Sequence, residues 1–165
     1  MVGSCDLSNS KVMVLGHGSR STLSVIRSLG RAGVTVDLGT NDTETLCKHS
    51  KYIRRIISLP NVFLFTQEWM QALKRYLQKC RYDLIIPISD KYILPLVRYR
   101  KEFESIAKLA IPNDFAFHYA FNKHKTVKLA RRLGVPIPPE VYIDSLENLE
   151  KKVEEIVTKL NFPVV

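Results

Sequence analysis

Apolar and polar positions fall into blocks along this chain, and changes in their period mark its elements. Lys11 to Leu15 (KVMVL) is a short apolar run of the kind a parallel sheet buries on both faces, and it stops at Gly16-His17-Gly18. From Ser19 the period becomes helical. Leu23, Ile26 and Leu29 share a face, Val25 lies beside them, and Gly33 stands where a helix needs a left-handed residue to end. Val34 to Val36 resumes strand chemistry. A strand, a crossover helix and a strand of this length make a right-handed βαβ unit. The predicted class is α/β, a Rossmann-like, doubly wound and mostly parallel sheet.

Further along, Gly39 to Ser50 reads as a turn and one helical turn leaving the carboxyl end of the second strand, which puts Asp37 and Asp42 where α/β proteins make ligand contacts. Tyr52 to Leu59 is a third strand. Thr66 caps a helix in which Trp69, Leu73, Tyr76 and Cys80 share a face with Met70 and Leu77. Tyr82 to Ile88 is the fourth strand, ending at Pro87. With three strands stepping to one side of the first and the fourth crossing to the other, a switch point lies between strands one and four. The loops Gly16 to Arg20 and Ile88 to Lys91 then face one crevice.

A helix begins at Asp90, where Pro95 fits the first turn or marks a kink. Lys108 to Ile111 is a short fifth strand, and Asn113 caps a helix through Tyr119 that packs Phe115, Phe117 and Tyr119 in part. The next helix starts near Asn122 with Val127, Ala130 and Leu133 inward and stops at Gly134. Glu140 to Ile143 is a short strand, Asp144 and Glu147 form a capping box, and Leu146, Leu149, Val153, Ile156 and Leu160 make one stripe. Asn161 to Val165 opens a further strand, and residues 1–10 are a disordered polar tail.

Composition narrows the class without naming a function. The 165 residues are 45% hydrophobic, suited to one domain plus a piece of another. No run reaches membrane-spanning length and the start MVGSCDLSNS lacks a signal's basic head and apolar middle, so a cytoplasmic protein without membrane partners is expected. Cys5, Cys47 and Cys80 read as reduced thiols. Neither they nor His17, His49, His118 and His124 have ligand spacing, so no structural metal is expected. The net charge of +9 sits in scattered pairs such as Arg54-Arg55 and Arg131-Arg132, without interleaved aromatics, which disfavours nucleic acid.

Two stretches carry candidate chemistry. Gly16, Gly18, Ser19 and Arg20 ahead of a helix suit an anion, because free backbone N–H groups and the positive helix end point the same way. The alternative is a tight turn with Ser19 as cap. Against the dinucleotide fingerprint, two glycines are present, Ser21 replaces the third, and Asp37 stands where the ribose acid belongs. Ser89 and Asp90 face this loop, Asp90 as ligand contact, helix cap or both.

Asn122 to Pro139 (NKHKTVKLARRLGVPIPP) is the most specific stretch. Its paired Asn122-Lys123, short helix and Gly134-Val135-Pro136 resemble the junction of the ATP-grasp ligases, with spacing similar to that of biotin carboxylase and its relatives. The opening strand and the Ser89-Asp90 loop are similar to the carbamoyl-phosphate-synthase-like group. The resemblance covers Lys11 to Val165 in order. It implies a pre-ATP-grasp Rossmann-like domain over 11–120 and the truncated start of the ATP-grasp lobe over 121–165.

The chemistry it implies is carboxylate activation by ATP with Mg2+ in the full-length parent, the nucleophile being an amine or similar group. Lys123 would approach the ATP phosphates, although Asn122 replaces the usual Asp and a solvated lysine is the plain alternative. Gly16 to Arg20 would be the substrate-side loop, while Lys91 stands where many relatives carry an acid. The magnesium-binding acids would lie in the missing lobe, so the fragment alone is expected to be inactive. The competing function is a dinucleotide-binding Rossmann-like regulatory module using Gly16, Gly18 and Asp37. A homodimer is left open.

Overall fold

The computed structural model describes residues 6–160 apart from 144, 146 and 148. Asp144 of the expected capping box, Leu146 of the expected stripe and the strand expected at Asn161 to Val165 lie outside the described residues. The chain forms two compact units, Met1–Ile111 and Pro112–Val165.

The first unit runs β1 (Lys11–Leu15), α1 (Arg20–Arg31), β2 (Thr35–Thr40), a 3-10 turn (Leu46–His49), β3 (Ile53–Ser58), α2 (Thr66–Lys79), β4 (Leu84–Pro87), α3 (Asp90–Arg98) and α4 (Arg100–Glu104). Its four strands are all parallel in the order β3-β2-β1-β4. The fourth strand thus crosses to the far side of the first, and the switch point falls between β1 and β4.

Alternate residues of β1 feed opposite faces. Met13 and Leu15 join Ile57, Trp69, Leu73, Tyr92, Leu96 and Phe103 under α2, α3 and α4. Val12 and Val14 join Ile26, Val36 and Leu38 under α1. Each such fully buried aliphatic side chain is worth about 2 kcal/mol, which is why the apolar run KVMVL settles at the centre of the sheet.

Several sequence expectations are corrected. β2 continues through Asp37, Gly39 and Thr40, all buried, where a turn was expected from Gly39. Gly39 stays in the strand because a Cβ there would lie 2.8 Å from Leu15 Cδ2 and 3.1 Å from Leu59 Cδ1. Thr66 is the first residue of α2 rather than its cap. Phe65 holds the cap position with no side-chain bond, and the Thr66 hydroxyl donates to the Val62 carbonyl at 2.7 Å. Tyr76 lies on the solvent side of its helix. Of the two placements expected for Pro95, the first turn is excluded, because it falls inside α3 beyond that turn. The fifth strand shrinks to a single parallel bridge, Leu109 to Ile85, held by Ile85 N–H to Lys108 O (2.9 Å) and Ala110 N–H to Ile85 O (2.8 Å).

The second unit contains α5 (Asp114–Ala120), α6 (Lys123–Arg132) and α7 (Leu149–Lys159), none with a buried residue. Asn113 and Asn122 cap α5 and α6 by accepting from the N–H groups of Ala116 (2.8 Å) and Lys125 (3.1 Å). The two helices are joined by the Thr126 hydroxyl, which donates to the Tyr119 carbonyl at 2.6 Å. Val127 and Ala130 are half-buried, but Leu133 is exposed, contrary to the inward face expected. Gly134 ends α6 at φ +68°. Glu140 to Ile143 forms no strand, having no partner strand in the described chain.

Candidate functional site

The carboxyl end of β1 is held between those of β2 and β4. The Gly16 N–H donates to Gly39 O at 3.1 Å, and the Ile88 N–H donates to Leu15 O at 2.9 Å. The segments that follow, Gly16 to Arg20 and Ile88 to Lys91, therefore leave neighbouring strand ends and lead into the amino ends of α1 and α3. That is the crevice position at which open α/β sheets bind ligands.

The glycines of the first loop have packing reasons. A Cβ on Gly16 would lie 2.6 Å from Thr22 Oγ1 and 2.7 Å from its Cγ2, and Thr22 is fully buried. A Cβ on Gly18 would lie 2.7 Å from Thr45 Oγ1. Ser19 caps α1, its hydroxyl accepting from the Thr22 N–H at 3.1 Å and lying 2.8 Å from Thr22 Oγ1. Arg20, the first helical residue, is exposed and makes no ion pair among the described residues. The α1 first turn carries no acid, so its amino end remains electropositive.

Across the crevice, Ser89 holds the cap position of α3 with no cap bond, and its hydroxyl oxygen is buried without a partner among the described residues. Asp90 is exposed in the first turn. Lys91 lies over the Phe63 ring at 5.0 Å. The Tyr92 hydroxyl reaches the end of β2, donating to Asn41 Oδ1 at 3.5 Å, and burial pushes the phenol up. Thr45 went unnoticed in the sequence. It caps the 3-10 turn through the Cys47 N–H (3.3 Å), a Thr-x-Cys signal ahead of a short helix, and so brings that turn against Gly18.

Asp37 is no ribose contact. It sits mid-strand opposite Met13, with both carboxylate oxygens taken by Arg54 and Tyr82. Burial pushes its pKa up, but the hydrogen bonds from Arg54 and Tyr82 and the charges of Arg54 and Arg55 outweigh it and hold the acid below its ordinary value.

Lys123 lies in the second unit as the first residue of α6, exposed to solvent. That helix has no acid in its first turn, and Lys125 Nζ is 2.8 Å from His118 Nε2. The cationic amino end of α6 suits a phosphate. No group of three or more His, Cys, Asp or Glu side chains converges among the described residues. No described helix is long and apolar enough to cross a membrane.

The fold is that of the N-terminal domain of ATP-grasp proteins. Among solved structures, the chain is similar to the biotin carboxylase domain of a single-chain bacterial carboxylase, with TM-score 0.64 and 16% identity, covering 89% of this chain and 34% of that one. It is also similar to L-amino acid ligase from Bacillus licheniformis, with TM-score 0.59 and 13% identity, covering 90% of this chain and 42% of that one. A third is N5-carboxyaminoimidazole synthetase from Staphylococcus aureus, solved with ADP, with TM-score 0.58 and 14% identity, covering 90% and 36%. The chain thus spans well under half the length of each of these proteins. No protein-family model matches the sequence, and no curated protein matches it.

Proposed function

We propose that this chain is the N-terminal portion of an ATP-dependent ligase that joins a carboxylate to an amine or similar nucleophile through an acyl phosphate. The observation that carries the proposal is the sheet order β3-β2-β1-β4 with two helix amino ends opening from its switch point, within a fold similar to ligase and carboxylase structures over about nine-tenths of the chain. In this reaction a carboxylate oxygen attacks the terminal phosphorus of ATP and ADP departs. The nucleophile then adds to the acyl carbon, phosphate leaves with the C–O bonding pair, and the amine proton is lost.

Such a transfer depends on positioning and on positive charge aimed at the phosphoryl oxygens. Lys123 is assigned to the ATP phosphates. Gly16, Gly18, Ser19 and Arg20, with Ser89 and Asp90 opposite, are assigned to the substrate side, where the Arg20 fork suits a carboxylate. Magnesium ligands are assigned to none of the described residues. The dinucleotide-module alternative loses its acid, because Asp37 is committed to Arg54 and Tyr82.

The test is carboxylate-dependent ADP release by the protein that carries this chain, compared with its Lys123→Met variant. A loss of about 10²-fold in the variant is expected for one phosphate-facing charge. Undiminished turnover would remove Lys123 from the site, and ATP turnover by the 165-residue chain alone would overturn the assignment of catalysis to a further lobe.

A further inference from the structure

Between the start of α2 and the outer side of α3 lies a cavity of about 350 Å³, within the range that takes a small organic molecule. Val62, Phe63, Leu94 and Pro95 make its walls apolar. Phe63 is 70% exposed and Leu94 40%, with Leu64 at 72% beside them. Apolar surface gathered in a concavity and left in water is a mark of a binding site.

Two cations border the same cavity, Lys91 and Arg98. They are two turns apart on α3, so about 10 Å separates them along the helix axis. Each faces an aromatic ring: Lys91 Nζ is 5.0 Å from the Phe63 centroid, and the Arg98 guanidinium carbon is 5.6 Å from that of Tyr99. Nearby cations are neutralised, Lys74 by Glu102 and Arg100 by Glu104. Lys91 and Arg98 have no carboxylate partner among the described residues.

The two hydroxyls of the wall, on Thr66 and Tyr99, each already make a hydrogen bond. The Thr66 hydroxyl already donates to Val62 O, and the Tyr99 hydroxyl already accepts from Gln67 Nε2 at 3.3 Å. What is left is apolar volume and unopposed positive charge. The geometry points to a binding site here for an amphipathic organic carboxylate, an aryl or branched-alkyl acid whose body fills the cavity and whose carboxylate meets Lys91 or Arg98. Of the lining residues only Lys91 belongs to the Ile88 to Lys91 loop, and none is among those assigned to the ligase chemistry, so Phe63, Leu94 and Arg98 test this site apart from that assignment.

Phenylbutyrate, with the neutral phenylbutyramide as control, would be titrated into the nitrogen-labelled full chain and followed by amide shifts. Expected are saturable shifts at Phe63, Thr66, Lys91 and Leu94, with the amide weaker by about fivefold or more and the Lys91→Gln/Arg98→Gln pair losing about tenfold. Leu94→Trp, which fills the cavity, should abolish saturation while the spectrum stays dispersed. Equal binding of acid and amide, unsaturable shifts, or shifts elsewhere in the chain would overturn the proposal. So would shifts at these residues on raising protein concentration alone, which would assign the face to a second copy of the chain.

Discussion

Arg54 holds Asp37 across neighbouring strands through two parallel bonds, Nε to Oδ1 at 2.9 Å and Nη2 to Oδ2 at 2.5 Å, and the Tyr82 hydroxyl donates to Oδ2 at 2.6 Å. The pair exists because the β2–β3 register slips there: Val36 faces Ile53 and Asp37 faces Arg55, leaving Arg54 as the extra residue. Burial and the hydrogen bond to Asp37 push the Tyr82 phenol up, so it stays a donor throughout the ordinary pH range.

Asp37→Asn should destabilise the first unit by about 2 kcal/mol, less than a fully buried pair would lose because Arg54 is partly solvated. Urea unfolding followed by circular dichroism checks this. Because the folded pKa of Asp37 is lowered, its contribution is fully present above the ordinary value of 3.8 and is lost as pH falls through the folded value. Wild type should lose stability over that acid window, and Asp37→Asn should lose less.

Gly30→Ala offers a test of packing against propensity. In an exposed helix interior the change gains about 1 kcal/mol. Here the new Cβ would overlap Tyr52 at its Cβ and ring base, which a side-chain rotation cannot clear. A net loss of about 1 kcal/mol is expected, only partly recovered when Tyr52→Ala is combined with it, because the alanine Cβ stays in the overlap. Thermal melts of the four proteins of this cycle decide the sign.

Gly16→Ala should cost about 2 kcal/mol through its overlap with Thr22. The double change with Thr22→Ala should recover part of the loss, measured by denaturant midpoints. Full additivity of the two losses would show that the contact is not what requires the glycine.

Gly134→Ala meets no neighbour within 4 Å, so its cost comes from φ +68° alone. About 1 kcal/mol of fraying at the end of α6 is expected, and Gly134→Asn should lose less. Amide exchange at Leu133 and Val135, whose N–H groups bond back to Leu129 and Ala130, reports it.

The elements legible in the sequence were those with one dominant cause. KVMVL gave β1 residue for residue, Ser19 and Gly33 bracketed α1, and the Pro87 stop gave the end of β4. The switch-point loops followed from strand order. What was not legible depended on partners distant in sequence. Asp37 reads as a surface acid until Arg54 and Tyr82 are placed around it, and Gly39 reads as a turn until Leu15 and Leu59 press against it. Glu140 to Ile143 has strand composition but no described strand to pair with. The cavity at Lys91 left only a weak trace, two basic residues seven apart flanking Leu94-Pro95.

Trp69, the single tryptophan of the chain, is fully buried in the first unit, 6.2 Å from the Tyr92 ring and 6.4 Å from that of Phe103. Its fluorescence is therefore an optical label that nature has attached to one unit alone. The helices of the second unit are silent in that channel but contribute to the far-ultraviolet ellipticity. Emission and ellipticity followed through one denaturation will superimpose if the two units melt together, and will part if they melt apart.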